Sequence, residues 1–234
     1  APGELNGTYL CGGAIINRYY VVTAAHCLFN PFGIKRGPDD LKIGVADHNQ
    51  FSTKDDIKGA TAKVSVRRVI IHEDFYNAGA GNDIALLKLE MPLDLASYPQ
   101  LKAVCLPRKP RTTYENATGT VYGWGTTEKN YFPQAVLRET SIPILNPECE
   151  NKIIGGVKIK PEMLCAGLKN GGKDSCAGDS GGPLTVEENR RHTLVGITSF
   201  GVGCGLPDTP GVYTRMTAYL DWIMDKTKDS TYCN

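Results

Sequence analysis

The chain lacks the features that mark several common classes of protein. It has no Cys-x-x-Cys pair; the closest of its eight cysteines are Cys165 and Cys176. That spacing argues against zinc ligation and thioredoxin-type redox chemistry. It has no surplus of one charge, with 26 basic and 25 acidic side chains and a net charge of +1. Nothing in this balance attracts nucleic acid or an anionic membrane surface. No apolar run approaches the roughly 18 residues needed to span a bilayer. There is no repeat of 20 to 50 residues and no low-complexity segment. There is also no signal peptide, so a mature or truncated form is expected.

A globular, β-rich chain remains. Its hydrophobic fraction of 41% suffices for a core. With 26 glycines and 14 prolines it favours many turns and short strands. An even number of cysteines without metal spacing reads as disulfides formed in an oxidising compartment, and the protein is expected to be secreted. Two sequons, at Asn6 and Asn116, point the same way. Runs at Tyr19–Thr23, Lys63–Ile71, Ile84–Leu89, Gly119–Tyr122, Thr193–Ser199 and Gly211–Thr214 read as strands of a sandwich or barrel. The one good helical pattern is Ala218–Lys226, with Thr217 as its cap. The stretch 105–117, with two prolines, reads as a connector between two halves.

Three short motifs carry chemistry: Thr23-Ala24-Ala25-His26-Cys27, Asn82-Asp83-Ile84-Ala85-Leu86-Leu87 and Gly178-Asp179-Ser180-Gly181-Gly182-Pro183. A serine hydroxyl is a poor nucleophile at neutral pH and needs an imidazole to take its proton. The imidazole in turn needs a carboxylate to hold its tautomer and stabilise its charged form. Small residues around Ser180 let backbone N–H groups approach a substrate carbonyl closely. His48, His72 and His192 stand among polar residues and read as surface or hydrogen-bonded side chains.

On these motifs, in this order, the chain resembles the trypsin and chymotrypsin serine proteases from Cys11 to its C-terminal helix. The resemblance implies an all-β fold of two packed six-stranded antiparallel barrels with a C-terminal helix. The expected organisation is a single peptidase domain over 1–234. Its first barrel runs to about 104, the connector over 105–117, the second barrel over 118–216, and helix and tail over 217–234. His26 is implied as general base and then acid, Asp83 as its orienter and Ser180 as the acylated nucleophile. The N–H groups of Gly178 and Ser180 are implied as the oxyanion hole. No cofactor and no metal are implied. Asp47, Asp55 and Asp56 fall where some relatives bind calcium, but their spacing fits poorly and a solvated loop is expected.

The resemblance also implies a specificity. Asp174 occupies the floor of the primary pocket, where a carboxylate pairs with the Arg or Lys before the cut. Gly201 and Gly211 match the glycines of the pocket walls, and Ser175 and Ser199 are expected to add polar contacts. Phe200 stands where Trp is usual; it keeps an aromatic wall and loses an N–H donor. The implied disulfides are Cys11–Cys27, Cys149–Cys165 and Cys176–Cys204. Cys105 and Cys233 leave two alternatives, an internal bridge or a light chain linked through Cys105. Protein substrates and protein protease inhibitors are the expected partners.

One departure concerns the start. Members of the family begin Ile-Val-Gly-Gly, and their freed ammonium pairs with the carboxylate beside the catalytic serine, here Asp179. This chain begins Ala1-Pro2-Gly3-Glu4, so its front segment is expected to be missing. The main expectation is a secreted serine endopeptidase. The alternatives are a truncated or inactive homologue acting as a binding protein, and a disulfide-rich binding module without enzymatic ancestry.

Overall fold

In a computed structural model, the described residues are 10–108, 112–127, 132–145 and 149–233. Five strands come first: β1 Ala14–Asn17, β2 Tyr20–Thr23, β3 Lys42–Val45, β4 Ala62–Ile71 and β5 Ala85–Leu89. They form one sheet in the order β1-β2-β5-β4-β3. In the second half β6 is Thr118–Gly123, β7 Arg138–Pro143, β8 Ile153–Ile154, β9 Val157–Lys158 and β10 Met163–Ala166. They are followed by β11 Pro183–Glu188, β12 Arg191–Phe200 and β13 Gly211–Arg215. A six-stranded sheet has the order β10-β13-β12-β11-β6-β7, and β8 and β9 form a separate hairpin. All pairings are antiparallel. The two-sheet, mostly β architecture is the one implied by the resemblance. Among the described residues, however, the first sheet has five strands where six were expected.

Burial explains why the expected strands form. All four residues of β2 are buried, as are all five of β13. Each lies between two neighbours in its sheet, so these short apolar runs need not alternate. The described residues build four apolar clusters, a small one around Cys149, Met163, Cys165 and Val212 and three larger ones. One lies within the first sheet and includes Val21, Leu28, Leu87 and Leu89. A second lies within the other sheet and includes Val121, Ile142, Leu184 and Tyr213. The third joins the halves: Ile16, Val22 and Leu86 meet Leu194 and Ile197 of β12 and Met216 and Ile223. Full burial of each such aliphatic side chain contributes about 1.5–3 kcal/mol, so the shared cluster is a substantial hold between the halves.

The expected helix is shorter at its start. Met216–Ala218 form a 3₁₀ turn, and helix α1 runs over Leu220–Lys226. Thr217 is buried within the turn and caps nothing; Tyr219 takes the cap position without a side-chain cap bond. Beyond α1 the tail crosses to the first sheet. Tyr20 donates to Asp229 at 2.9 Å, and Lys88 pairs with the same carboxylate.

Disulfides join Cys11 to Cys27, Cys149 to Cys165 and Cys176 to Cys204. Cys105 is bonded to Cys233, so of the two alternatives the chain has the internal bridge. The connector is itself fastened to β12: the Cys105 N–H donates to His192 O and the Leu194 N–H to Cys105 O. Asn116 is exposed in a turn, and Asn6 lies outside the described residues.

Helix α1 is docked at its outer side by Glu73. This carboxylate accepts from Lys226 at 2.6 Å and from the Trp222 indole at 2.8 Å. The Lys226 ammonium first, and then the Trp222 N–H, lower the Glu73 carboxyl from its ordinary 4.5 to about 2. A depressed carboxyl contributes stability that is fully present above its unfolded value and lost as pH falls through its folded value. Between pH 4.5 and about 2 the helix dock should therefore weaken. The pair is exposed, so the effect should stay below about 1 kcal/mol. Acid titration followed by Trp222 fluorescence should show this step in the native chain and not in Glu73→Gln.

Candidate active site

The pairing of β2 with β5 brings the first two motifs together. Thr23 is opposite Ala85 in an antiparallel register. The chain leaving Thr23 therefore runs past the chain arriving at Ala85, and His26 meets Asp83. His26 rides on the 3₁₀ turn Ala25–Leu28, tied down by the Cys11–Cys27 bridge. Asp83 Oδ1 accepts from the His26 backbone N–H at 2.9 Å, and Oδ2 contacts His26 Nδ1 at 2.8 Å. With Nδ1–H donating to the carboxylate, Nε2 is the acceptor of the ring. The Asp83 side chain is 2% exposed, that of His26 30%.

Ser180 enters through its backbone. The Gly181 N–H donates to Thr198 O, and the Gly12 N–H donates to Ser180 O at 2.8 Å. The Thr23 hydroxyl in turn donates to Gly12 O at 2.8 Å. The Gly12 segment thus lies between the serine loop and the end of β2, two residues before the His26 turn. Among the described residues, Ser180 and His26 share no direct hydrogen bond between their side chains. In the run 178–182 the N–H groups of Asp179, Gly181 and Gly182 each donate to a backbone carbonyl. Those of Gly178 and Ser180 donate to no protein group among the described residues. The serine's own N–H and that of the residue two before it are thus left without an internal acceptor.

Asp174 is half-buried. Its Oδ1 accepts from the Ser175 N–H at 2.8 Å and its Oδ2 from the Gly205 N–H at 3.0 Å. Burial raises its carboxyl above the ordinary value, and the two N–H groups offset part of the rise. A Cβ on Gly211 would come within 3.0 Å of Asp174 Oδ1, whereas one on Gly201 would meet nothing nearer than 3.7 Å. Ser175 places its hydroxyl 2.9 Å from that of Tyr213. Ser199, expected among the pocket contacts, instead donates to Asp83 Oδ2 at 2.5 Å. Phe200 packs against the cluster of Met163, Cys165 and Val212.

Asp179 is held by backbone alone. Oδ1 accepts from the Gly125 N–H at 2.8 Å and Oδ2 from the Cys176 N–H at 2.9 Å. Burial raises this carboxyl too, against the pull of those bonds. Among the described residues it has no cationic partner. A cavity of about 490 Å³ opens between Asp174 and Asp179, bordered by Gly123, Gly125, Cys176 and Gly205.

Thr214, whose hydroxyl donates to the Asp83 carbonyl at 2.7 Å, was not visible in the motifs. Neither were Tyr213 and Gly12. The Gly12-Gly13 pair was a usable signal, because consecutive glycines before a strand mark close backbone approach. A Cβ on Gly12 would lie 2.8 Å from Gly182 Cα. Asp55 accepts from the Asn49 N–H. Among the described residues only Cys11, His26 and Cys27 gather as potential metal ligands, and the two sulfurs are already bonded to each other.

Comparison with known proteins bears on the same stretch of chain. A sequence model of the family described as Trypsin matches residues 3–223. Coagulation factor XI of Bos taurus is 39% identical over 226 residues, covering 94% of this chain and 34% of that protein. The clotting factor G beta subunit of Tachypleus tridentatus is 36% identical over 230 residues, covering 94% of this chain and 71% of that protein. The proclotting enzyme of the same species is 38% identical over 221 residues, covering 92% and 58%. The chain thus spans from 34% to 71% of the length of these three relatives. Among the described residues no helix is long and apolar enough to cross a membrane.

The seat of Ser180 makes one substitution informative. Gly181 has φ +77°, and a Cβ there would press on Thr23 Oγ1 and Gly12 O and lie 3.1 Å from Ala24 N. Gly181→Ala should cost about 1–3 kcal/mol. Thermal melting should show this loss, whereas Gly156→Ala, with open space around it but also left-handed at φ +80°, should lose less.

Proposed function

We propose, because the chain belongs to the trypsin family, that it is a secreted serine endopeptidase cutting after Arg or Lys through an acyl-enzyme. The observation that carries this reading is the buried Asp83 carboxylate gripping His26 at both its backbone and its ring nitrogen. Held so, His26 keeps Nε2 as the base. It takes the Ser180 proton as Oγ attacks the scissile carbonyl, and later gives it to the leaving amine. The oxyanion is received by the N–H groups of Gly178 and Ser180; one such donor typically contributes about 3 to 4 kcal/mol in the transition state. Water then hydrolyses the ester by the same path in reverse.

The basic preference rests on Asp174. A desolvated carboxylate bordered by glycines favours a long cationic side chain, whose charge restores that of the carboxylate. Asp179 serves the activation ion pair. An ammonium brought against it would replace the missing cation, and the loop from Cys176 to Ser180 would gain a fixed anchor. The substrates are proteins, and protein inhibitors would occupy the same cleft. Cys105 has no free thiol for a light chain. The relatives are named for clotting, and a place in a proteolytic cascade is the corresponding reading for this chain.

Ser180→Ala should abolish hydrolysis of an Arg ester and labelling by an organophosphate while leaving the melting temperature near that of the native chain. Turnover surviving this substitution would remove Ser180 as nucleophile. A native chain that neither turns over nor labels would favour the inactive homologue. Asp174→Ser should lower kcat/KM on Arg and Lys substrates about 10²- to 10⁴-fold, matching the roughly 3–5 kcal/mol of an unpaired buried charge. Chromogenic peptides varied at the residue before the cut provide the measurement.

A further inference from the structure

The residue before Asp83 has an unusual backbone. Asn82 has φ +55°, in the left-handed region that side-chain-bearing residues seldom adopt. This conformation decides where the next Cα–Cβ bond points, and that bond carries the Asp83 carboxylate. Asn82 is pinned from several sides. The Tyr219 hydroxyl donates to Asn82 Oδ1 at 3.0 Å and accepts from the Asn82 N–H at 3.1 Å. The Asn82 amide donates to Asp74 O at 3.2 Å. One phenol thus closes a two-point clasp on one residue, and the clasp comes from the far end of the chain. Tyr219 is 4% exposed and sits at the start of α1. Its ring packs edge-on against His72, centroids 5.4 Å apart. The His72 N–H in turn donates to Ile84 O, just beyond Asp83. Burial raises the Tyr219 phenol above its ordinary value, so the proton it donates is retained.

We infer that Tyr219 is a positioning residue for the reaction: by clasping Asn82 in its left-handed turn, it aims the Asp83 carboxylate at His26. The inference rests on the triad reading above. It gives the residue at the cap of the C-terminal helix a part in the reaction from outside the triad. Without the hydroxyl, the Asn82 side chain keeps only its bond to Asp74 O, and its carbonyl the bond from the Ile84 N–H; with its own N–H and Oδ1 released, the residue drifts toward ordinary φ values. The carboxylate then turns away from Nδ1 in part of the population. His26 moves a proton in both halves of the reaction, so acylation and deacylation should slow together. Substrate contacts lie elsewhere, so KM should not move.

The test is Tyr219→Phe, which keeps the ring and its packing. On an Arg ester and on an Arg anilide, kcat should fall by one common factor of about 3- to 10-fold, a fraction of the net worth of the two hydrogen bonds the substitution removes. KM should stay within twofold, with rates normalised by active-site titration. The same substitution in an Asn82→Gly background should cost less than twofold, because glycine adopts the left-handed turn without a clasp. That loss of effect is what a merely structural role for Tyr219 would not produce. A kcat within twofold of the native chain overturns the inference. So does a loss confined to KM, or an equal loss in both backgrounds. Should Tyr219→Phe fail to fold, Asn82→Ala probes the same clasp, and an unchanged kcat there is equally fatal. Failure of the triad reading is recognised separately, by turnover in Ser180→Ala. If Ser180→Ala is dead and Tyr219→Phe is silent, only the clasp is refuted.

Discussion

Asp83 carries a carboxylate to the seam of two sheets with 2% of its side chain exposed, where every water it has lost must be replaced by a donor. His26 supplies two donors, from β2's end, and Ser199 supplies a third from β12 in the other sheet. Thr214 of β13 holds the carbonyl of the same residue. Hydrogen bonds to a charged group contribute about 1.5–3 kcal/mol each, and removing a partner from a buried charge costs about 3–5 kcal/mol. The donors come from both halves of the chain, so the halves cannot separate without stranding the charge. The shared core of Ile16, Val22, Leu86, Leu194 and Ile197 holds those halves together. Packing at the junction and polar satisfaction of Asp83 are two descriptions of one constraint.

The other two acids of the site are satisfied differently. Asp174 and Asp179 accept only from backbone N–H groups, and burial raises both carboxyls. A carboxyl raised by folding favours the protonated form, so its contribution to stability declines as pH rises through that range. A cation delivered to either site reverses the penalty. Binding of positive charge is therefore linked to the stability of the loops between Lys173 and Ser180. The two carboxylates border one cavity, which makes that linkage a shared property of the pocket and the serine loop.

Much of the fold was readable in the chain. The runs at Tyr19–Thr23, Lys63–Ile71 and Ile84–Leu89 became strands within a residue or so of their expected ends, because β-branched stretches between turn residues have few other ways to be buried. The helix start was misjudged by two residues. Thr217 has the chemistry of a cap, but its neighbours Met216 and Leu220 are drawn into the core, and the chain tightens into a 3₁₀ turn to deliver them. Ser199 shows the same limit in the site. The resemblance implied a pocket contact; Ser199 falls at an irregularity in the pairing of β12 with β13, between Thr198 and Phe200, and its hydroxyl meets Asp83.

His26, Asp83 and Ser180 were named by sequence alone, because the chemistry admits few residue types and those types stand in short motifs with small neighbours; Asp174 and the pocket glycines were named by the resemblance those motifs carry. The sequence likewise established the disulfide-bearing, β-rich character of the chain. The partners that aim those groups were decided only in three dimensions. Ser199, Thr214 and Tyr219 lie 116, 131 and 137 residues from the residues they hold. No local pattern encodes such a contact. It exists because strand pairing and core packing bring remote hydroxyls to buried or half-buried polar groups, the Asp83 carboxylate and carbonyl and the Asn82 amide, that need partners.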